Sequence, residues 1–131
     1  MMSVYDDVLQ AVVELANDTN PYAVVTIGAL PANNGICMAW ASGFLNTFFN
    51  KMGAVEMSAI LNAKNTNQQA ALDALSDIHT ALNMTKSYPS SDNYQITNIE
   101  TIGPPVYLSR EQNSQWLYGS SLRIKFYLKG A

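Results

Sequence analysis

Leu122-Arg123-Ile124-Lys125-Phe126-Tyr127-Leu128-Lys129 alternates large apolar side chains with polar or amphipathic ones. Successive side chains leave a strand on opposite sides, so this pattern specifies a strand with one buried face. Leu122, Ile124, Phe126 and Leu128 enter a core. Arg123, Lys125, Tyr127 and Lys129 meet water or a partner. Each large side chain buried this way contributes on the order of 1.5–3 kcal/mol.

Reading back from that strand, Glu111-Gln112-Asn113-Ser114 forms a turn and Val106–Arg110 a short strand. Tyr94–Ile102 is another strand, and Gly103-Pro104-Pro105 is expected to break it, since proline offers no N–H to a ladder. Lys86–Asn93 is a polar loop. Before it, Ala71, Leu72, Leu75, Ile78 and Leu82 recur at helical spacing and predict a helix over Gln68–Asn83. Thr66 and Gln69 have the spacing of a capping box. Gln69, Asp73, Ser76, Asp77 and Thr80 fall on its wet side, and His79 sits at the margin of the buried stripe.

The N-terminal half opens with a second helix, Val4–Asn17, on which Val4, Val8, Val12 and Leu15 share a face. Ser3 is its expected N-cap, and Asp6 and Asp7 lie in the first turn, where the helix dipole favours negative charge. Pro21 closes this region. Tyr22–Gly28 reads as a strand on its β-branched content, Ala29–Gly35 as a turn, and Ile36–Ser42 as a strand. Phe44–Met52 fits a short helix or a buried strand. Val55–Leu61 is a strand with Val55, Met57, Ala59 and Leu61 on one face. Runs of strands separated by two helices give an α+β fold, a mostly antiparallel sheet with both main helices on one face. Residues 1–131 are expected to form a single domain.

Composition narrows the function. Charged residues make up 13% of the chain and apolar residues 48%, and that charged share is about half the usual ~25%. A surface built from Asn, Ser, Thr and Gln docks against neighbours with few ions to desolvate. Net charge is −3 with only seven basic residues spread along the chain, which argues against nonspecific nucleic-acid binding, and no specific nucleic-acid binding is expected. Cys37 is the single cysteine; set among Ile36, Met38 and Trp40, it reads as a buried thiol in a reducing compartment. The first residues lack the basic start and apolar run of a signal peptide. No apolar run reaches the ~20 residues of a membrane span, so no membrane partner is expected.

A search for chemistry finds none. Cys37 with His79 is the sole thiol–imidazole combination, and no local signature joins them. Asp6-Asp7 and the Asp73/Asp77 pair read as solvated carboxylates and not as metal ligands. The glycines lead into no phosphate loop. No catalytic, cofactor-binding or metal-binding residue is assigned and no cofactor is expected; the chain is expected not to be an enzyme. The candidate site is instead an interface. Tyr107, Trp116, Tyr118 and Tyr127 lie in the C-terminal strands, and aromatic residues are enriched at interfaces, although they are also ordinary strand formers. Phe44, Phe48 and Phe49 form an apolar cluster expected to pack across a joint between subunits beside a paired sheet edge. Arg123 and Lys125 complete the set.

Three further runs carry a resemblance. They are Asn65-Thr66-Asn67-Gln68-Gln69-Ala70-Ala71-Leu72-Asp73-Ala74-Leu75-Ser76-Asp77-Ile78-His79-Thr80-Ala81-Leu82, then Thr101-Ile102-Gly103-Pro104-Pro105-Val106-Tyr107-Leu108-Ser109-Arg110-Glu111-Gln112-Asn113, then Trp116-Leu117-Tyr118-Gly119-Ser120-Ser121-Leu122-Arg123-Ile124-Lys125-Phe126-Tyr127. Their order resembles the minor capsid proteins of tailed bacteriophages that act as tail terminators, over roughly residues 55 to 129. The segment from Gly28 to Gly53 departs from that pattern, being rich in glycine and apolar residues. The resemblance implies a virion protein, made in the host cytoplasm, that forms a ring with copies of itself, commonly six. Its further partners would be the tail tube protein and a head-completion or neck protein. The ring would stop tube growth at the head-proximal end and take part in head–tail joining, with DNA passing unread. Another neck or head-completion role, or a small-ligand-binding domain, are the alternatives.

Overall fold

In the computed structural model, residues 3–41, 48–49 and 53–129 are described. The elements run α1 (Val4–Asn17), β1 (Val25–Ile27), β2 (Ile36–Trp40), β3 (Phe48–Phe49), β4 (Ala54–Asn65), α2 (Gln68–Asn83), β5 (Tyr94–Arg110) and β6 (Trp116–Leu128). The strands form one sheet in the order β1-β2-β4-β6-β5, and β3 also pairs with β4. Among the described strands, β1 with β2 is the single parallel pair; every other pairing is antiparallel. The α+β class is therefore as expected.

Both helices occupy the residues that periodicity assigned to them. Ser3 caps α1 and forms a reciprocal capping box with Asp6, so two otherwise orphaned N–H groups are satisfied. In α2 the cap is one residue later than the Thr66 spacing suggested: Asn67 accepts from the Ala70 N–H at 3.1 Å. Gln69 is consequently free to bond Asp73 at 2.7 Å.

The expected break at Gly103-Pro104-Pro105 does not occur. β5 runs unbroken from Tyr94 to Arg110, with register shifts between Thr101 and Gly103 and between Gly103 and Val106. The reason is position: β5 ends the sheet, so two prolines cost no central ladder bonds, and bulges absorb the misfit. The strand expected over Val55–Leu61 extends to Ala54–Asn65, and that expected over Tyr22–Gly28 contracts to Val25–Ile27. The Phe44–Met52 question lies largely outside the described residues; Phe48 and Phe49 pair with Glu56 and Val55.

One face of the sheet is buried under α1 and α2. Val8, Val12, Leu75, Ile78 and Leu82 from the helices meet Met38, Leu61, Leu122, Ile124 and Phe126 from the strands. Phe126 is clasped by Tyr5 and Trp40, at ring-centre distances of 6.1 and 6.4 Å. The Trp40 indole N–H donates to the Tyr5 carbonyl at 3.2 Å, tying β2 to the first turn of α1. No described helix is long and apolar enough to cross a membrane.

Candidate functional site

The alternation that buries one face of β4 and β6 necessarily presents the other face, which no described helix covers. Register pairs Glu56 with Lys125, Ser58 with Arg123, Ile60 with Ser121, Asn62 with Gly119 and Lys64 with Leu117 across the two central strands. β5 adds Glu100 beside Arg123 and Val106 beside Gly119. Three zones result.

The first zone is ionic. Glu100 Oε1 lies 3.5 Å from both Arg123 Nη1 and Lys125 Nζ, and Lys125 Nζ lies 3.5 Å from Glu56 Oε1. Two carboxylates and two cations thus cancel, and each side chain is about one-third exposed. Such pairs hold geometry more than they add stability. Within the zone Arg123 Nε and Ser58 Oγ are buried without a hydrogen-bond partner.

The second zone is an apolar depression of about 450 Å³ bounded by Ile60, Gly103, Pro104, Val106, Leu108 and Gly119. Glycine makes its floor. A Cβ on Gly119 would come within 2.6 Å of Leu108 Cδ1 and 3.0 Å of Asn62 Oδ1, so a larger residue there would displace Leu108. Val106 and Leu108 are each 51% exposed.

The third zone is the far end of β4. Lys64, almost buried at 7% exposure, forms an ion pair with Glu111. The Tyr22 hydroxyl lies 2.6 Å from the Lys64 carbonyl and 3.1 Å from that of Gly35. Burial outweighs the hydrogen bonds it makes and pushes the Tyr22 phenol up to about 12. Gln115, also buried, accepts from the Asn34 N–H at 2.8 Å and fastens the Ala29–Gly35 turn to the β5–β6 hairpin.

The sequence-assigned interface residues divide among these surroundings. Arg123, Lys125 and Tyr127 face the open side, and Tyr127 is 41% exposed. Tyr107, Trp116 and Tyr118 form a cluster on the helix side of the hairpin, with ring centres 6.0 Å apart. Arg110 stacks over Trp116 at 4.8 Å. Tyr107 is exposed, but Tyr118 is buried and its hydroxyl accepts from Gln68 at 2.7 Å. Phe44 lies outside the described residues, and Phe48 and Phe49 lie in β3.

Chemistry finds little foothold. Cys37 pairs across the sheet with Asn62, on the open side, whereas His79 is buried under α2 against β5. β4 and β6 separate them, so they form no dyad. Burial pushes the Cys37 thiol up, with a backbone bond to Asn62 and the charge of Lys64 pulling weakly the other way. His79 Nδ1 sits 2.7 Å from Thr101 Oγ1, while its Nε2 is buried without a partner. Burial lowers its pKa to about 4, so the ring is neutral at neutral pH. Among the described residues, no three of His, Cys, Asp or Glu gather closely enough to hold a metal ion.

Sequence reasoning passed over Val24, Val106 and Leu108, which are among the most exposed large apolar residues of those described. A signal was present: no charged residue occurs between Asp18 and Lys51, or between Glu100 and Arg110.

No family profile and no curated protein matches the sequence. The fold does have a solved counterpart: a chain from the virion of a native gene transfer agent (GTA) particle superposes with a TM-score of 0.62 at 12% identity, covering 99% of this chain and 100% of that one. At such low identity the likeness is one of architecture, and it extends from end to end.

Proposed function

We propose that this chain is a non-enzymatic structural protein of a phage-like virion, and that it serves as a tail terminator. In that role it forms a ring with copies of itself at the head-proximal end of the tail tube, meeting the tube protein on one side and a neck protein on the other. The observation that carries this is the end-to-end likeness of fold to a GTA virion chain. The resemblance of residues 55 to 129 to tail terminators supports the finer assignment. A surface poor in charge, an ionic zone whose charges cancel and a shallow apolar depression suit docking better than turnover.

Electron microscopy of purified chain mixed with tail tubes assembled from the tube protein of the same genome tests it. The expected result is density capping one end of each tube. Binding to heads alone would assign the chain to a different neck or head-completion role, and binding to neither would defeat the proposal.

A further inference from the structure

The sheet is open, and among the described residues its two terminal strands, β1 with the segment leading into it and β5, carry six of the eight exposed large apolar side chains. Tyr22 (38%), Val24 (73%) and Ile27 (43%) lie along β1 and its approach; Val106, Tyr107 and Leu108 (51–52%) lie along β5. Both segments fall in the stretches without charge, Thr19–Asn50 and Thr101–Ser109. Burying either against the other therefore desolvates no ion.

Main-chain pairing is interrupted at points along both edges. The Asn17 side-chain amide takes both main-chain groups of Val25, accepting from its N–H at 2.8 Å and donating to its carbonyl at 3.4 Å. On β5, the Ile96 N–H is taken by the Pro89 carbonyl, the Thr101 N–H by Asn83 Oδ1, and Pro104 and Pro105 have none. Blunted edges of this kind resist open-ended strand addition. Side chains are available at both: a projecting Val24 at one edge and an apolar depression beside the other.

Resting on the ring proposed above, we infer that the joint between subunits is head-to-tail and made by side chains: Val24 of one copy seats in the depression bounded by Ile60, Pro104, Val106 and Leu108 of the next. The two surfaces are different, so the contact is heterologous. A heterologous contact whose rotation closes gives a ring, as the proposed role requires.

The test uses two full-length variants, Val24→Glu and Val106→Glu, with light scattering and native mass spectrometry. Each places a charge at an exposed position and should leave the thermal midpoint nearly unchanged; Leu108→Glu replaces Val106→Glu if that variant melts early. Each alone should be monomeric, with self-association weakened about 30-fold or more, as for a central contact residue. Mixed one to one, they should form a dimer that does not grow, since each retains the surface the other has lost. A mixture that stays monomeric, variants that assemble like the wild type, or a wild type monomeric even near millimolar concentration would each overturn the joint. Tube capping is scored separately. Capped tubes with no mixed dimer would reject this contact alone, and mixed dimers on uncapped tubes would reject the terminator role alone.

Discussion

The two faces of the central strands differ in what they demand of each residue. On the helix side, Leu61, Ala63, Leu122 and Ile124 are wholly buried, and Phe126 nearly so, packed from two directions. On the other side the same strands carry Glu56, Ile60, Arg123, Lys125 and Tyr127, all partly exposed. One chain segment thus serves as core on one side and as working surface on the other. Close packing constrains the whole of the first face, whereas on the second it is confined to spots such as Ser58, Lys64 and Gly119.

The sharpest way to break this contrast is to remove matched side chains from the two faces. Phe126→Ala should cost about 3–5 kcal/mol in urea unfolding, from lost contacts with Tyr5 and Trp40 and the cavity left behind. Ile60→Ala should cost about 1 kcal/mol. Similar losses at both sites would mean that the open face is packed in the free chain.

Acid probes the covered face next. His79 is neutral when folded, with its pKa lowered by burial from 6.5 to about 4. Between those values the unfolded chain binds a proton that the folded chain does not. Stability is therefore full above about pH 6.5 and falls by about 1.4 kcal/mol per pH unit toward pH 4, roughly 3 kcal/mol in all. His79→Gln should flatten that part of the profile relative to the parent, measured by denaturation at stepped pH. An unchanged slope would place the proton uptake elsewhere.

On the open face the buried end of β4 should respond more strongly than the ionic zone. Glu111→Gln strands the nearly buried Lys64 ammonium and should cost about 1–3 kcal/mol, while Lys64→Met, which removes the charge to be stranded, should cost less. Smallest of all, Lys125→Ala should cost under about 1 kcal/mol, a difference that shrinks in high salt because its pairs with Glu56 and Glu100 are solvated.

What sequence could tell of this fold depended on whether a signal was local. Helices α1 and α2 were legible because the spacings of Val8 and Val12, and of Leu75, Ile78 and Leu82, are set by the helix itself. The inward run of β6 was legible for the same reason, since two-residue alternation needs no knowledge of neighbours. The continuity of β5 through Pro104 and Pro105 was not, because a proline's cost depends on whether its strand is central or terminal. Nor was the parallel pairing of β1 with β2, which is a choice of partner. At the candidate site, the outward direction of Arg123, Lys125 and Tyr127 was readable. The carboxylates that neutralise the two cations, Glu56 and Glu100, come from other strands and emerge only from the register. Tyr118 shows the limit of composition: an aromatic strand residue lies wherever Gln68 and the α2 terminus put it, which here is inside.

The Asn17 amide has a mechanical consequence. It belongs to the last turn of α1 yet bonds both main-chain polar groups of Val25 in β1. A short terminal strand would ordinarily peel away under tension, its few bonds to β2 opening one after another. Here any pull applied at β1 passes directly into a helix whose own first turn is fastened to Trp40. The rim of the sheet and α1 would yield together or not at all, so stress would spread through the body of the subunit instead of fraying its margin.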